Sequence, residues 1–132
     1  MRGMKNWILF AAGLGGAVGV AAGAVGSHAL ALDPVSQAGR TYHLAVTYLL
    51  LHAAALLALA VHRAQQSRPE LSLTIAAVLF TTGMIFFSGS LIVATAADWP
   101  AIKVSAPWGG SSMIAGWIAV AVAAFRTKTV TS

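Results

Sequence analysis

The residue hardest to reconcile with its surroundings is His52, set inside the apolar run LAVTYLLLHAAALLALAV. It follows His43 by nine positions, so on a helix rising about 1.5 Å per residue it lies roughly 13 Å in, close to the midplane of a bilayer. An ionisable side chain at that depth is a functional-site candidate, because a charge there costs several kcal/mol. A second reading needs no ligand: a neutral imidazole that hydrogen-bonds between helices and fixes their packing. Tyr48 lies one turn earlier on the same helical face, with Ala55, Leu59 and His62. Ser88 and Ser90 stand in FFSGS, where bulk gives way abruptly to small residues. His28 follows the first apolar run and is either an interfacial histidine satisfied by loop carbonyls or water, or a member of the same group. His28, Tyr48, His52, Ser88 and Ser90 are therefore the candidate polar cluster, opening toward the outer side.

Other chemistry finds little support. There is no cysteine, which removes disulfides, thiolate metal sites and cysteine nucleophiles. The three carboxylates, Asp33, Glu70 and Asp98, all lie at the ends of apolar runs, and no nucleophile-base spacing appears, so no catalytic residue is assigned. Four scattered histidines do not make a metal site, and His52 has no partner histidine at its depth to share a haem. No metal and no cofactor are expected.

The elements that must position the cluster follow from composition. The chain has 132 residues, 58% hydrophobic and only 8% charged, against about 25% charged in soluble domains. Four apolar segments, about 7–27, 43–62, 71–97 and 107–125, each approach or exceed the roughly 20 residues that cross a bilayer. The expected fold is an all-α membrane protein, 1–132 forming a single transmembrane domain of four helices in an up-down antiparallel bundle. Asp33, Pro34 and Gly39 are expected to break the chain between the first two, with Ala29–Leu32 in the interface, and Pro107 to open the fourth.

The net charge of +5 would suggest nucleic acid in a soluble protein, but the charges flank the spans instead. Arg2, Lys5, Arg63, Arg68, Arg126 and Lys128 share one side and Arg40 and Lys103 the other, which places both termini in the cytoplasm by the positive-inside rule and leaves no basic stripe for phosphates. Met1–Ala31 has the outline of a signal peptide, but the run is long for one, and losing it would upset the charge balance, so it is expected to remain as the first span. Trp7 and the pair Trp99 and Trp108 mark inner and outer aromatic belts, whereas Trp117 lies deeper, packed or facing lipid.

Packing is written in the small residues. Gly13–Ser27 holds six glycines, each costing roughly 0.5–1 kcal/mol against Ala in a helix. Gly15, Gly16, Gly19, Gly23 and Gly26 fall within about 100° of arc, away from Trp7, Leu14, Val18 and Val25. A glycine face of this kind lets another helix lie flush. Thr74, Thr81, Ser88 and Thr95 recur at seven-residue intervals, a seam whose hydroxyls can bond the carbonyl four residues back. Ser112 and Gly116 extend a smooth face on the last helix. The positions expected to carry helix packing are Gly15, Gly19, Gly23, Gly26, Gly89, Gly109, Gly110 and Gly116.

Four blocks taken together carry a family resemblance: Gly23, Gly26, His28, Ala29 and Leu30; Ala45, Val46, Tyr48, His52 and Ala53; Gly83, Phe87, Ser88, Gly89, Ser90 and Leu91; Pro107, Gly109, Gly110, Ala115, Gly116 and Trp117. The chain resembles the small four-helix membrane proteins of the domain of unknown function 423 family, related to the transmembrane protein 256 group. It departs from their pattern at Leu51, where an aromatic or polar residue is expected, and at Ser27, where an alanine is. The resemblance implies a bacterial inner-membrane protein and no activity. The first expectation is a non-enzymatic packing or assembly bundle, whose partners are the lipid bilayer and further copies of itself or a larger membrane complex, with no nucleic acid. The alternative is binding or transport of a small solute or proton through the polar cluster.

Overall fold

The computed structural model describes residues 7–126; Arg2, Lys5 and Lys128, which enter the charge argument, lie outside the described residues. Four helices are long and apolar enough to cross a membrane: α1, Trp7–Ala29; α2, Gln37–Ala64; α3, Leu71–Ala96; and α4, Pro100–Arg126. At about 1.5 Å per residue their 23 to 28 residues are enough to span the roughly 30 Å of hydrocarbon. α2 is α-helical throughout, whereas α1 and α3 contain π segments and α4 a 3₁₀ turn.

The second helix begins six residues before the expected His43. Ser36 caps it, its hydroxyl accepting from Gly39 N–H at 3.0 Å and donating to Asp33 O at 2.7 Å, while Asp33 Oδ1 accepts from Val35 N–H at 3.0 Å. Arg40 donates to Val35 O. The expected break at Gly39 is thus corrected. Gly39 lies inside the first turn, where an added Cβ would run into the Asp33 carbonyl, so this glycine serves close approach rather than interruption. Within Ala29–Leu32, Leu30 and Leu32 pack partly buried on Ala22, Tyr42 and Val46. The fourth helix starts with a 3₁₀ turn at Pro100–Ser105 and becomes α-helical at Ala106, one residue before Pro107.

α1 lies along α2, and α3 lies along α4. The first pair meets where Gly15 faces Leu49 and Ala53, Gly19 faces Leu49 and Leu50, Gly23 faces Val46, and Gly26 faces the Tyr42 ring. Tyr42 is almost wholly buried and its hydroxyl donates to Ala22 O at 2.6 Å, joining the two helices just where α1 widens into a π turn at Val25–Ala29. In the second pair, Ser105 donates to Phe86 O at 3.2 Å, Gly109 rides on the Phe86–Phe87 peptide, Ser112 donates to Leu79 O at 2.8 Å, and Gly116 sits under the Phe80 ring. Small residues in a helix face let these backbones approach closely, and their hydroxyls then reach the neighbour's carbonyls. The two pairs close on a common core of Ile8, Ala12, Leu49, Ala53, Leu56, Ala76, Ala77, Phe80, Met84 and Met113.

Several small residues expected to carry packing do not carry it equally. A methyl on Gly15, Gly19, Gly26, Gly109 or Gly116 would overlap a neighbour, whereas on Gly23, Gly89 or Gly110 its nearest contact would be an ordinary 3.6 Å, and on Gly16 it would meet nothing within 4 Å. Gly83, not singled out for packing from sequence, is tight against Met113 and Gly109 O.

Candidate functional site

The candidate site is centred on His52, whose backbone is the sixteenth residue of the 28-residue α2 and whose side chain is 2% exposed. Its Nδ1 lies 2.7 Å from Tyr48 O, and its Nε2 lies 3.2 Å from the indole Nε1 of Trp117 on α4. Each partner has a single role: a carbonyl accepts and an indole N–H donates. The imidazole therefore carries its proton on Nδ1, donates it to Tyr48 O, and accepts at Nε2 from Trp117. Both nitrogens are satisfied within the protein.

Aromatic rings wall this pair. The Phe80 ring stands edge-on to His52 at 5.2 Å and tilts against Trp117 at 4.9 Å; Trp117 itself meets the imidazole at 6.0 Å. Tyr48 stacks on His52 at 5.9 Å and leans on Phe87 at 5.3 Å. Such ring pairs add about 0.5–1.5 kcal/mol each beyond the apolar area they bury. One polar contact thus joins α2 to α4 here, and Phe80 of α3 packs against both of its rings.

The remaining members of the predicted cluster are placed differently. Ser90 is buried and spends its hydroxyl on its own helix, donating to Phe86 O at 2.6 Å with Phe87 O at 3.0 Å. Those carbonyls belong to a π segment, Met84–Gly89, in the middle of α3, and Phe86 O also receives the Ser105 hydroxyl. Ser88, inside that segment, is fully buried and its Oγ has no partner among the described residues. His28 is exposed near the end of α1. The structure therefore joins Tyr48 to His52, while the hydrogen bonds of His52 go to neither Ser88 nor Ser90. Thr74, Thr81 and Thr95 of the hydroxyl seam each donate to the carbonyl four residues back, at 3.0, 2.8 and 3.1 Å.

Trp117 is the member that sequence reasoning did not assign to His52. A signal existed: it is an indole N–H donor placed deeper than a belt, and a buried indole N–H usually finds an acceptor. The hollows of the molecule border other residues. A groove of about 530 Å³ between α1 and α3 is lined by apolar side chains such as Phe10, Leu14, Met84 and Ile92. Smaller concavities lie where α2 ends and α3 begins. Among the described residues no group of three or more His, Cys, Asp or Glu is gathered as for a metal ion.

Comparison with known proteins agrees with this architecture. Residues 22–110 match the family described as protein of unknown function DUF423. The chain is similar to the UPF0382 membrane protein SAB0533 of Staphylococcus aureus (strain bovine RF122 / ET3-1), 32% identical over 93% of this chain and 98% of that protein. It is 31% identical to the UPF0382 inner membrane protein YgdD of Escherichia coli K12 over 94% and 93%, and 30% identical to the UPF0382 membrane protein YwdK of Bacillus subtilis 168 over 93% and 98%. No solved structure matches the chain. With its matched segment and relatives aligned over nearly their whole lengths, the chain belongs to the DUF423 family of membrane proteins.

Proposed function

We propose that this protein is a non-enzymatic bundle of the bacterial cytoplasmic membrane, up-down and antiparallel with both termini in the cytoplasm, which works by assembling with copies of itself or with a larger membrane complex. The observation that carries this reading is the closure of His52. Its hydrogen bonds run from an indole N–H, which only donates, to a backbone carbonyl, which only accepts. Neither partner can pass a proton on, and aromatic rings flank the imidazole, so the one ionisable group near the middle of α2 ties helices together. The falling order of the α1–α2 pairs, from Gly15 with Ala53 to Gly26 with Tyr42, supports the antiparallel arrangement.

The assembly reading is tested by native mass spectrometry of the protein in mild detergent. More than one subunit, or a retained protein partner, is the expected result; a bare monomer overturns it. Gly19→Leu, which drives a side chain into Leu50, is expected to lower the melting point of the α1–α2 pair and shift the oligomer distribution. An unchanged fold and subunit number would sink the role assigned to this face. A second reading, a solute or proton site, has one observation in its favour: Ser88, buried and unpartnered inside a π segment, a feature frequent at functional sites.

A further inference from the structure

Where α2 ends and α3 begins, a cavity of about 10 Å³ is walled on its polar side by His62, Arg63, Gln66, Glu70 and Thr74, and on the other by apolar side chains of α1, α2 and α3. That volume admits one water molecule. Most of the polar wall is already committed. Arg63 donates from Nη1 to Thr74 Oγ1 at 3.0 Å, Thr74 Oγ1 donates to Glu70 O at 3.0 Å, and the Gln66 amide nitrogen lies 3.3 Å from His62 Nε2. One strong acceptor is left over: Glu70 Oε1 is buried and has no hydrogen-bond partner, and Glu70 has no ion pair among the described residues. A buried carboxylate oxygen without a donor is costly, and buried polar groups of this kind are ordinarily met by protein or by ordered water.

We infer that this cavity is a binding site for one ordered water, which donates an O–H to Glu70 Oε1 and accepts an N–H from Arg63. A guanidinium has five N–H donors and Thr74 takes one, so Arg63 has donors to spare. The water makes Arg63 and Glu70 a bridged ion pair. It ties the last turn of α2 to the first of α3 across the short connection between them, beside Ile8 of α1. The site is separate from the His52 cluster and does not depend on the assembly proposed above.

An experimental structure that resolves waters should show a single ordered peak at hydrogen-bond distance, about 2.7–3.0 Å, from Glu70 Oε1. Direct Arg63–Glu70 contact, or a dry cavity at that resolution, overturns the inference. A thermal double-mutant cycle in detergent is independent of it. Glu70→Gln and Arg63→Gln should each lower the melting temperature by a few degrees, and the double variant by less than the sum of the two, because either change alone already breaks the bridge. Strictly additive shifts, or a silent Glu70→Gln, would refute it.

Discussion

At the scale of single residues, the exchange between His52 and Trp117 decides how the middle of the bundle behaves. The Nδ1–H tautomer is set by the two partners together, so ¹⁵N NMR of the folded protein should show a protonated Nδ1 and a bare Nε2 at His52. Trp117→Phe keeps an aromatic ring beside Phe80 and removes the donor, leaving Nε2 without a partner inside an apolar wall. Polar contacts between membrane helices are worth about 0.6 kcal/mol on average and up to about 1.7. A loss within that range, measured as a shift in unfolding midpoint in detergent, is expected; no loss would mean that the contact contributes only shape. The place of His52 well inside its helix was legible in the sequence, because the apolar run extends on both sides of it. Its partner was not, because 65 positions separate the two residues and no local period links them. Ser90 illustrates the converse: its neighbourhood in FFSGS looked like part of a shared polar group, yet its hydroxyl was taken by its own helix.

Among the elements, the small residues fall into two kinds that the sequence does not distinguish. A methyl on Gly109 would strike the Phe86–Phe87 backbone, which cannot swing aside as a side chain can, whereas on Gly16 it would meet open space. Gly109→Ala should therefore cost about 1–3 kcal/mol through overpacking of the α3–α4 crossing. Gly16→Ala should instead gain up to about 1 kcal/mol, by removing a glycine from a helix interior. Thermal unfolding of the two variants side by side checks the opposite signs. Helix ends offer a third test. Ala31 follows α1 with φ of 45°, a left-handed conformation that costs an L side chain, while Leu32 N–H turns back to Gly26 O at 3.1 Å. Ala31→Gly is expected to raise stability by about 1 kcal/mol, read as a higher melting temperature. The four spans and the glycine face of α1 could be foreseen from length and periodicity. The early start of α2 was missed because Asp33 and Ser36 wrap a local cap that takes Gly39 into the first turn, against the usual reading of Asp-Pro followed by glycine as a break.

For the molecule as a whole, the orientation proposed above rests on charge and is open to a direct test. Six basic residues flank the spans on one side and two on the other, and short loops rich in Lys and Arg are retained in the cytoplasm. The antiparallel α1–α2 pairing is consistent with the proposal for the first hairpin, which puts Arg63 at the end of the bundle where α1 begins. Ser67, in the connection between α2 and α3, and Ala101, in the 3₁₀ turn that opens α4, are exposed and lie at opposite ends of such a bundle. The native chain has no cysteine, so a single introduced thiol is the sole reactive one. Ser67→Cys should resist a membrane-impermeant maleimide in intact cells and react after lysis, and Ala101→Cys should react in both. Both positions lie outside the tight contacts of the helix pairs, so the substitutions leave the fold intact. If Ser67→Cys is labelled from outside and Ala101→Cys is protected, the bundle is inverted, and the six-to-two bias has been overruled by a partner or by the insertion pathway. Protection of both in intact cells would mean that the outer connection is covered, which the assembly proposed above predicts only if the partner sits over Pro100–Ser105.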